Sequence, residues 1–260
     1  MGIQQQKQFN VLAIGDSCED VYHYGVCERM SPEAPVPILK QTRTETKPGM
    51  SANVVKNLES LGVNVTHITN RKPIKKHRFV DDRFKQHLLR VDEGEENVLD
   101  KVDIDKIKSV APSIDAVVVS DYNKGFLSSF DCQKITRFFK DKPVFVDSKK
   151  INLSCFENSV IKINKKEHER IVSVSNSSEL IVTLGPHGAL YNNKVYETDN
   201  VEVFDVCGAG DVFLSALTYD FLLTKNLESA IMFANRCASC SVSKFGTHIL
   251  TKKEINDLRI

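Results

Sequence analysis

The stretch DVCGAGD, residues 205–211, stands directly before the apolar run VFLSALTYDFLL, residues 212–223. The run predicts a buried helix, and a carboxylate at its start is stabilised by the positive end of the helix dipole. Gly208 and Gly210 let the backbone turn freely and remove the Cβ atoms that would keep a ligand away. The stretch therefore predicts a cluster of N–H groups that binds an anion such as phosphate, with Asp211 either as a helix cap or as a catalytic base.

Composition narrows the class of protein. A chain of 260 residues with 41% hydrophobic content and a net charge of +1 predicts one α/β domain or two small ones. Nothing in this charge demands nucleic acid or an anionic membrane as partner. No apolar run approaches the ~20 residues of a membrane span. The first ten residues, MGIQQQKQFN, carry neither the apolar core of a secretion signal nor a myristoylation motif.

Seven scattered cysteines favour free thiols in a reducing cytoplasm. Cys237 and Cys240 form one CxxC pair, but a structural zinc site needs further ligands. Packing of small residues within a helix is the favoured interpretation of this pair.

The first half of the chain changes character several times. VLAIG, residues 11–15, is typical of a buried first strand. Residues 22–46 contain three prolines and an alternating pattern, which predicts exposed, twisted strands. SANVVKNLESLG, residues 51–62, predicts a helix that ends at Gly62.

The second half is more regular. Four β-rich runs alternate with segments of helix length: AVVVSDY (116–122), PVFVDS (143–148), SVIKIN (159–164) and LIVTLG (180–185). This rhythm predicts βαβ units and a parallel sheet. Asp121, Asp147, Asn164 and Gly185 close the four runs, and ligands of such sheets bind beyond the carboxyl ends of the strands. We therefore expect one α/β domain, residues 1–260, with a small β appendage around residues 22–46.

Several phosphate and nucleophile motifs are absent. The sequence has no GxxxxGK[ST], no GxGxxG after the first strand, no GxSxG and no protein-kinase signature. Phosphoryl transfer to a hydroxyl needs an anion cradle, a metal, a positioned acceptor and a base. GAGD can supply the cradle and the base within four residues.

The stretch DVCGAGDVFLSAL resembles the C-terminal signature of the ribokinase-like (PfkB) carbohydrate kinases, and the resemblance extends from Val11 to Thr247. Within that family the chain looks most like the heptose 7-phosphate kinase domain of bifunctional ADP-heptose synthesis proteins. The motifs that carry this likeness are IGDSCEDVYHYG, SPEAPVPILK, TKPGMSANVVKNLESLGV, LLRVD, SDYNKG, VFVDSKK and NKKE, and SPEAPVP is the most specific.

The resemblance implies a ribokinase-like α/β fold, with a mostly parallel central sheet flanked by helices and a small β lid. It implies an ATP- and Mg²⁺-dependent kinase that converts heptose 7-phosphate to heptose 1,7-bisphosphate, a step in lipopolysaccharide precursor biosynthesis. In that comparison Asp211 is the general base, and the backbone N–H groups of Gly208, Ala209, Gly210 and Asp211 form the anion hole. We also expect a cytoplasmic protein, and a lid that two subunits of a homodimer share.

Further site residues follow from the matching motifs. The acceptor would be bound by Asp20, Gly49, Asn53, Lys76, Arg78 and Lys124. The nucleotide would be bound by Asn164, Glu167, Thr183, Gly185, Gly188 and Asn235. Glu167 would also serve Mg²⁺, and Asp205 would lie near a monovalent-cation site for K⁺.

Plainer interpretations stay open for several of these residues. Asp20 could be an ordinary loop carboxylate, Asn53 an early-turn helix residue and Glu167 part of a solvated charged face. The basic segment RKPIKKHR, residues 71–78, could be a solvated loop, or Lys76 and Arg78 could meet a phosphate on the sugar.

Three departures from the family pattern bear on function. One βα unit is missing between Thr69 and Lys76, so the N-terminal half is shortened. Met50 stands where the family has a second glycine, which could narrow the sugar pocket. Residues resembling the nucleotidyltransferase half of the bifunctional proteins do not follow. A kinase for another small sugar, or an inactive sugar- or nucleotide-binding relic, therefore remain alternatives.

Overall fold

An eight-stranded sheet forms the centre of the molecule, in a computed structural model that describes residues 8–72, 74–97 and 100–259. The strands are β1 (Asn10–Gly15), β2 (Ser17–Met30), β3 (Pro37–Met50), β4 (Asn64–Ile68), β5 (Ile74–Asp81), β6 (Gln86–Glu93), β7 (Ala116–Asp121), β8 (Val144–Ser148), β9 (Asn152–Leu153), β10 (Val160–Asn164), β11 (Ser173–Val174), β12 (Glu179–Thr183), β13 (Ala189–Tyr191) and β14 (Lys194–Tyr196). The α-helices are α1 (Ser51–Ser60), α2 (Ile104–Val110), α3 (Ser129–Phe138), α4 (Lys165–His168), α5 (Ala209–Thr224), α6 (Leu227–Val242) and α7 (Lys252–Leu258). Short 3₁₀ helices cover Glu95–Asn97, Ala111–Ser113 and Gly185–His187.

The strand order of the central sheet is β14-β13-β12-β10-β8-β7-β1-β4. All neighbours from β12 to β4 pair in parallel, whereas the β12–β13 and β13–β14 pairs at one edge are antiparallel. The expected mostly parallel sheet is confirmed. Because parallel strands end at the same edge, Asp121, Asp147 and Asn164 come together at one rim of the sheet.

Helices cover both faces of the central sheet, as the apolar runs of its strands require. Along β7, Val118 packs on one face, with the buried residues of α1, α5 and α6, while Val117 and Val119 pack on the other, with those of α2 and α3. Helix α5 is buried around most of its circumference, because it lies between the sheet and α6.

A second, four-stranded sheet has the order β3-β2-β5-β6, with β2 and β5 parallel and the other pairs antiparallel. It uses residues 17–50 and 74–93, so the appendage expected at 22–46 is only part of it. The solvated-loop interpretation of the basic segment is wrong from residue 74 onward. Ile74 and Val80 are fully buried, and they anchor β5 as a strand despite its charges.

The shortening of the N-terminal half falls at an edge of the central sheet. Strand β4 is the last strand on that side, and the chain then passes through a few residues into β5 of the second sheet. Loss of a βα unit at this place leaves the central strands intact.

The N-terminal segment that the sequence excludes as a secretion signal lies largely outside the described residues, which begin at residue 8. Among the helices of the described part of the chain, none has the length and apolarity of a membrane span.

Candidate active site

Helix α5 begins without a capping side chain. Its N-cap residue is Gly208, in the left-handed region at φ 79°, and the N–H groups of Gly210 and Asp211 have no hydrogen-bond partner among the described residues. Free N–H groups at a helix start, together with the helix dipole, form an anion site. The interpretation of Asp211 as the cap is wrong, because its carboxylate points away from these N–H groups to other partners.

The carboxylate of Asp211 is buried and is oriented by two neutral donors. The amide Nδ2 of Asn53 donates to Oδ2 at 2.8 Å, and the hydroxyl of Tyr122 donates to Oδ1 at 3.0 Å. Burial raises the pKa of Asp211 from 3.8 to about 6, although the hydrogen bond from Asn53 works in the opposite direction. A carboxylate with such a pKa is ionised at neutral pH and is a stronger base than an exposed one.

The glycines of GAGD stand where side chains do not fit. A Cβ on Gly208 would come within 2.9 Å of the Asn53 amide nitrogen, and one on Gly210 within 2.7 Å of Nζ of Lys162. Lys162 is itself buried and pairs with the carboxylate of Asp147 at 2.7 Å. The start of α5 is therefore packed between Asn53 on one side and a buried ammonium group on the other.

Two cavities meet at this turn. The first, which we call the Asp211 cavity, has a volume of about 180 Å³. It is lined by Cys18, Asp20, Gly49, Met50, Asn53, Lys76, Arg78, Arg90, Tyr122, Cys207, Gly208, Asp211 and Thr247. The second, the Gly188 cavity, has a volume of about 200 Å³. It is lined by Thr183, Gly185, Pro186, Gly188, Thr198, Asp199, Asn200, Val201, Val203, Val206, Ala209, Gly210, Phe213, Asn235, Ala238, Ser239 and Val242.

The second sheet supplies the charges of the Asp211 cavity. Asp20 lies in β2 rather than in a loop, and it is buried against Arg78, whose guanidinium nitrogens approach Oδ1 at 2.8 and 3.1 Å. Lys76 lies two residues before Arg78 on the same face of β5. It is buried, its Nζ lies 5.6 Å from the Tyr122 ring centroid, and it has no ion pair among the described side chains. The Asp92 carboxylate interacts with the Lys76 ammonium only at longer range, because it is hydrogen-bonded to Arg90.

The Gly49–Met50 pair forms the wall next to α1. A Cβ on Gly49 would lie 2.4 Å from a carboxylate oxygen of Asp20, so only glycine fits there. Met50 is buried and has φ 56° and ψ −133°, a conformation that glycine adopts freely and other residues rarely do. The departure from the family pattern thus places a strained backbone and a thioether side chain on the cavity wall.

The Gly188 cavity is mainly apolar. Gly185 and Gly188 have φ of 62° and 86°, and a Cβ on Gly188 would lie 2.0 Å from the carbonyl oxygen of Tyr196. The Asn235 amide donates to that same carbonyl at 2.7 Å, so this side chain fixes the wall. The expected nucleotide residues Thr183, Gly185, Gly188 and Asn235 are therefore together in one cavity.

A charged cluster lies at the rim of the sheet near both cavities. Asn164 and Glu167 cap each other at the start of α4, with bonds of 2.8 and 2.9 Å. The ammonium of Lys149 bridges Glu167 at 2.6 Å and Asp147 at 3.1 Å. Glu167 is therefore part of a half-buried network rather than of a solvated face.

Two expected site residues are engaged elsewhere. Lys124 pairs with Glu95 and lines neither cavity. The carboxylate of Asp205 accepts hydrogen bonds from the N–H groups of Cys207 at 2.9 Å and Gly246 at 3.0 Å, so it joins the loops on either side of α5 and α6. In the described parts of the chain, no group of three or more His, Cys, Asp or Glu side chains is arranged to hold a metal ion.

The match to a known family covers most of this architecture. The model of the pfkB family carbohydrate kinases matches residues 54–254. The chain belongs to the pfkB family of carbohydrate kinases. The fold is ribokinase-like: the chain superposes on the phosphofructokinase-2 of Escherichia coli in complex with potassium, with TM-score 0.73 and 15% identity, covering 96% of this chain and 97% of that one. It also superposes on the Arabidopsis thaliana ribokinase complexed with ribose and ATP, with TM-score 0.69 and 13% identity, covering 97% and 99%.

Relatives of this carbohydrate kinase include the bifunctional protein HldE of a Nitratiruptor species, which is 31% identical over 95% of this chain and 64% of that protein. The bifunctional protein HldE of Proteus mirabilis is 29% identical over 95% and 63%. The chain thus spans under two thirds of the length of these relatives. The first alignment runs over 299 positions, more than the 260 residues of this chain, so that relative carries insertions within the matched region.

Sequence reasoning missed three site residues of this pfkB kinase. Tyr122 and Arg90 lie within the motifs SDYNKG and LLRVD, but a motif does not show in which direction each side chain points. Lys162 lies in the apolar run SVIKIN. A lysine in the middle of a buried strand is itself a signal, because burial of an ammonium requires a specific partner.

Proposed function

We propose that this protein transfers the γ-phosphoryl group of ATP to a hydroxyl of a sugar phosphate, and specifically converts heptose 7-phosphate to heptose 1,7-bisphosphate. One observation carries the proposal: the GAGD turn separates the two cavities. Gly208 and Asp211 line the Asp211 cavity, whereas Ala209 and Gly210 line the Gly188 cavity. A group that passes from one cavity to the other meets the free N–H groups of α5.

The Gly188 cavity suits a nucleotide. Its apolar walls match a flat base, and Gly185 and Gly188 allow the backbone to approach closely. The triphosphate would extend from there toward the start of α5, where the N–H groups of Gly210 and Asp211 and the ammonium of Lys162 can stabilise its charge.

The Asp211 cavity suits an acceptor that already carries a phosphate. Lys76 brings a buried positive charge without an ion-pair partner among the described side chains, and Arg78 and Arg90 add two guanidinium groups at the same wall. A dianion would satisfy these groups, whereas a neutral sugar would leave Lys76 unpaired. Asp20 and Asn53 are placed to bond sugar hydroxyls.

The transfer step follows from these positions. Asp211 takes the proton of the attacking hydroxyl while the acceptor oxygen bonds to the γ-phosphorus and the bond to ADP breaks. Asn53 and Tyr122 hold the carboxylate in place without neutralising it, so it remains a base.

When bound with ATP, Mg²⁺ would supply neutralisation of the phosphate charge. Glu167 is the residue that would hold this Mg²⁺, through water molecules, because its carboxylate already contacts the Lys149 ammonium and the Asn164 N–H. For K⁺ we propose the neighbourhood of Asp205, although its carboxylate already serves two backbone N–H groups.

Three further points belong to this proposal. Seven free cysteines favour a reducing compartment, so we place the enzyme in the cytoplasm, supplying lipopolysaccharide precursors. The outer face of the second sheet exposes Leu89 and Val91, which supports a homodimer through this sheet. Met50 on the cavity wall favours a second candidate, a kinase for another small sugar phosphate.

An ADP-release assay over sugars and sugar phosphates, with and without Mg²⁺ and K⁺, tests the proposal. Lys76→Ala should raise KM for the sugar phosphate by ~10-fold or more, since a charge-assisted contact is lost, and leave KM for ATP unchanged. The matched control is Lys75→Ala, on the opposite face of the same strand. An unchanged acceptor KM in Lys76→Ala, a better unphosphorylated substrate, or no turnover with any acceptor would each contradict the proposal, the last in favour of an inactive relic.

A further inference from the structure

Tyr122 is held in place by the ends of two strands. It directly follows β7, and its backbone N–H donates to the buried carboxylate of Asp16, just beyond β1, at 2.9 Å. The same carboxylate accepts the N–H groups of Lys124 at 3.3 Å and Phe126 at 3.4 Å. The Asp16 carboxylate therefore holds the loop that carries Tyr122 by three backbone hydrogen bonds, and these fix the backbone position of the tyrosine.

The hydroxyl of Tyr122 ends on the proposed base. It donates to Oδ1 of Asp211 at 3.0 Å, on the oxygen that Asn53 leaves free. Burial, with the nearby charges of Asp211 and Asp147, keeps the pKa of the Tyr122 phenol well above its ordinary range. The phenol thus keeps its proton and acts as a donor at every pH at which the enzyme would work.

The ring of Tyr122 has a second set of contacts. The ammonium groups of Lys76 and Lys149 lie 5.6 and 5.4 Å from its centroid, within the range of a cation–π interaction. Lys76 belongs to the Asp211 cavity, whereas Lys149 belongs to the cluster around Asp147 and Glu167. One aromatic ring therefore contacts a cation on the acceptor side and a cation of the rim cluster.

We propose that Tyr122 is a positioning residue for the phosphoryl transfer: its hydroxyl orients and stabilises the anionic carboxylate of Asp211, and its ring supports the Lys76 ammonium in the acceptor site. The proposal rests on the function proposed above, in which Asp211 is the base. The two roles reside in different atoms of one side chain, so different substitutions separate them.

Other charged and titratable groups also face the carboxylate of Asp211, from every side of the cavity. They are Asp147 on β8, Lys162 on β10, Cys18 and Asp20 on β2, Lys76 and Arg78 on β5, and Cys207 in the loop before α5. Tyr122→Phe changes none of these side chains and keeps the ring. A change in the titration of Asp211 in this variant therefore reports the lost hydroxyl.

The first test is the pH dependence of kcat/KM for ATP-dependent phosphorylation of the sugar phosphate that the assay above selects. Loss of a hydrogen bond to the charged form should move the acidic limb of the Tyr122→Phe profile to higher pH by roughly one unit. KM for the acceptor should stay unchanged, because the ring remains. Tyr122→Leu should show the same shift and also raise the acceptor KM several-fold. Ionisation of the substrate phosphate is common to all variants, so it cancels in the comparison.

The matched control is Tyr191→Phe. Tyr191 also donates to a carboxylate, Oε2 of Glu179 at 3.0 Å, but lines neither cavity, so its profile should equal that of the wild type. A Tyr122→Phe profile with an unshifted limb, or one that Tyr191→Phe reproduces, overturns the proposal.

A second test needs no substrate. In protein with ¹³C-labelled aspartate, the Asp211 carboxyl resonance is identified by its loss in Asp211→Asn, and its titration midpoint should rise by roughly one unit in Tyr122→Phe. An unchanged midpoint overturns the proposal even if activity falls. Turnover that survives in Asp211→Asn would instead refute the base role, whatever Tyr122→Phe does, so the two failures are distinguishable.

Discussion

Replacing Asp211 with asparagine should make the protein more stable at neutral pH while it removes turnover. Burial raises the pKa of this carboxyl from 3.8 to about 6, a difference of about two units. Each unit corresponds to ~1.4 kcal/mol, so the ionised carboxylate destabilises the folded state by about 3 kcal/mol above pH 6. Asparagine has the same shape and no charge, but it has only one acceptor oxygen for the two donors. The loss of one hydrogen bond lowers the stability of the variant by about 1 kcal/mol. We expect a net gain of about 2 kcal/mol, or roughly 4–8 °C in Tm.

The pH dependence of this gain has a definite sign. A group whose pKa is raised on folding contributes stability that is fully present below 3.8 and is lost as the pH rises through about 6. The difference between Asp211→Asn and the wild type should therefore be small near pH 4.5, grow up to about pH 6.5 and stay constant above it. Thermal unfolding followed by circular dichroism measures it, since the chain has no tryptophan for fluorescence.

Asp220, on the same helix, provides the control. Its carboxylate accepts a hydrogen bond from Ser229 at 3.1 Å and lies 3.5 Å from Arg259, so Asp220→Asn should lower stability. A lower Tm of Asp211→Asn at pH 8, or a difference that does not depend on pH, would refute the argument that burial of the Asp211 charge is costly. Turnover in this variant within a few-fold of the wild type would separately refute its role as a base, because loss of a general base typically lowers the rate ~10²–10⁴-fold.

Two further predictions concern the backbone. Met50→Gly should be more stable than Met50→Ala by about 1 kcal/mol in denaturant unfolding. Both variants lose the thioether, but only glycine adopts the positive φ of this position without strain. Equal stability of the two variants would mean that the backbone at Met50 is not strained. Gly188→Ala should destabilise the protein far more than Gly62→Ala. Both glycines have φ of 86°, but a Cβ at Gly188 would clash with a backbone carbonyl, whereas a Cβ at Gly62 would meet no atom within 4 Å. Similar Tm values for the two variants would contradict this reasoning.

The sequence contains most of the fold. Apolar runs such as the one at 116–122 form the parallel strands. Their side chains face helices on both sides of the sheet, so the runs are continuously apolar and are easily identified as buried strands. Strand β5 was not predicted, because its sequence is rich in charged residues. Lys76 and Arg78 point into the Asp211 cavity, so this partly buried strand has the charged composition of a loop.

The sequence predicts those residues of the candidate site that lie within a recognisable motif. GAGD indicated Asp211 and the start of α5 because glycines before an acidic residue at a helix start have few other uses. The hydroxyl of Tyr122 and the burial of Lys162 depend on side-chain directions from separate strands, which a linear pattern does not contain. Lys124 shows the reverse error: it lies within a matching motif, yet its charge is directed to Glu95.

The sheet edge at β4 makes the fold modular. Strand β4 has only five residues, most of them half-buried, and contributes nothing to either cavity. A short edge strand with polar side chains such as Asn64 and Thr66 is a poor template for pairing with another molecule, so it can end a sheet without promoting aggregation. A strand–helix unit could be inserted or removed between β4 and β5 while the other strands of the central sheet keep their register. The enzyme's size and its chemistry can therefore change independently.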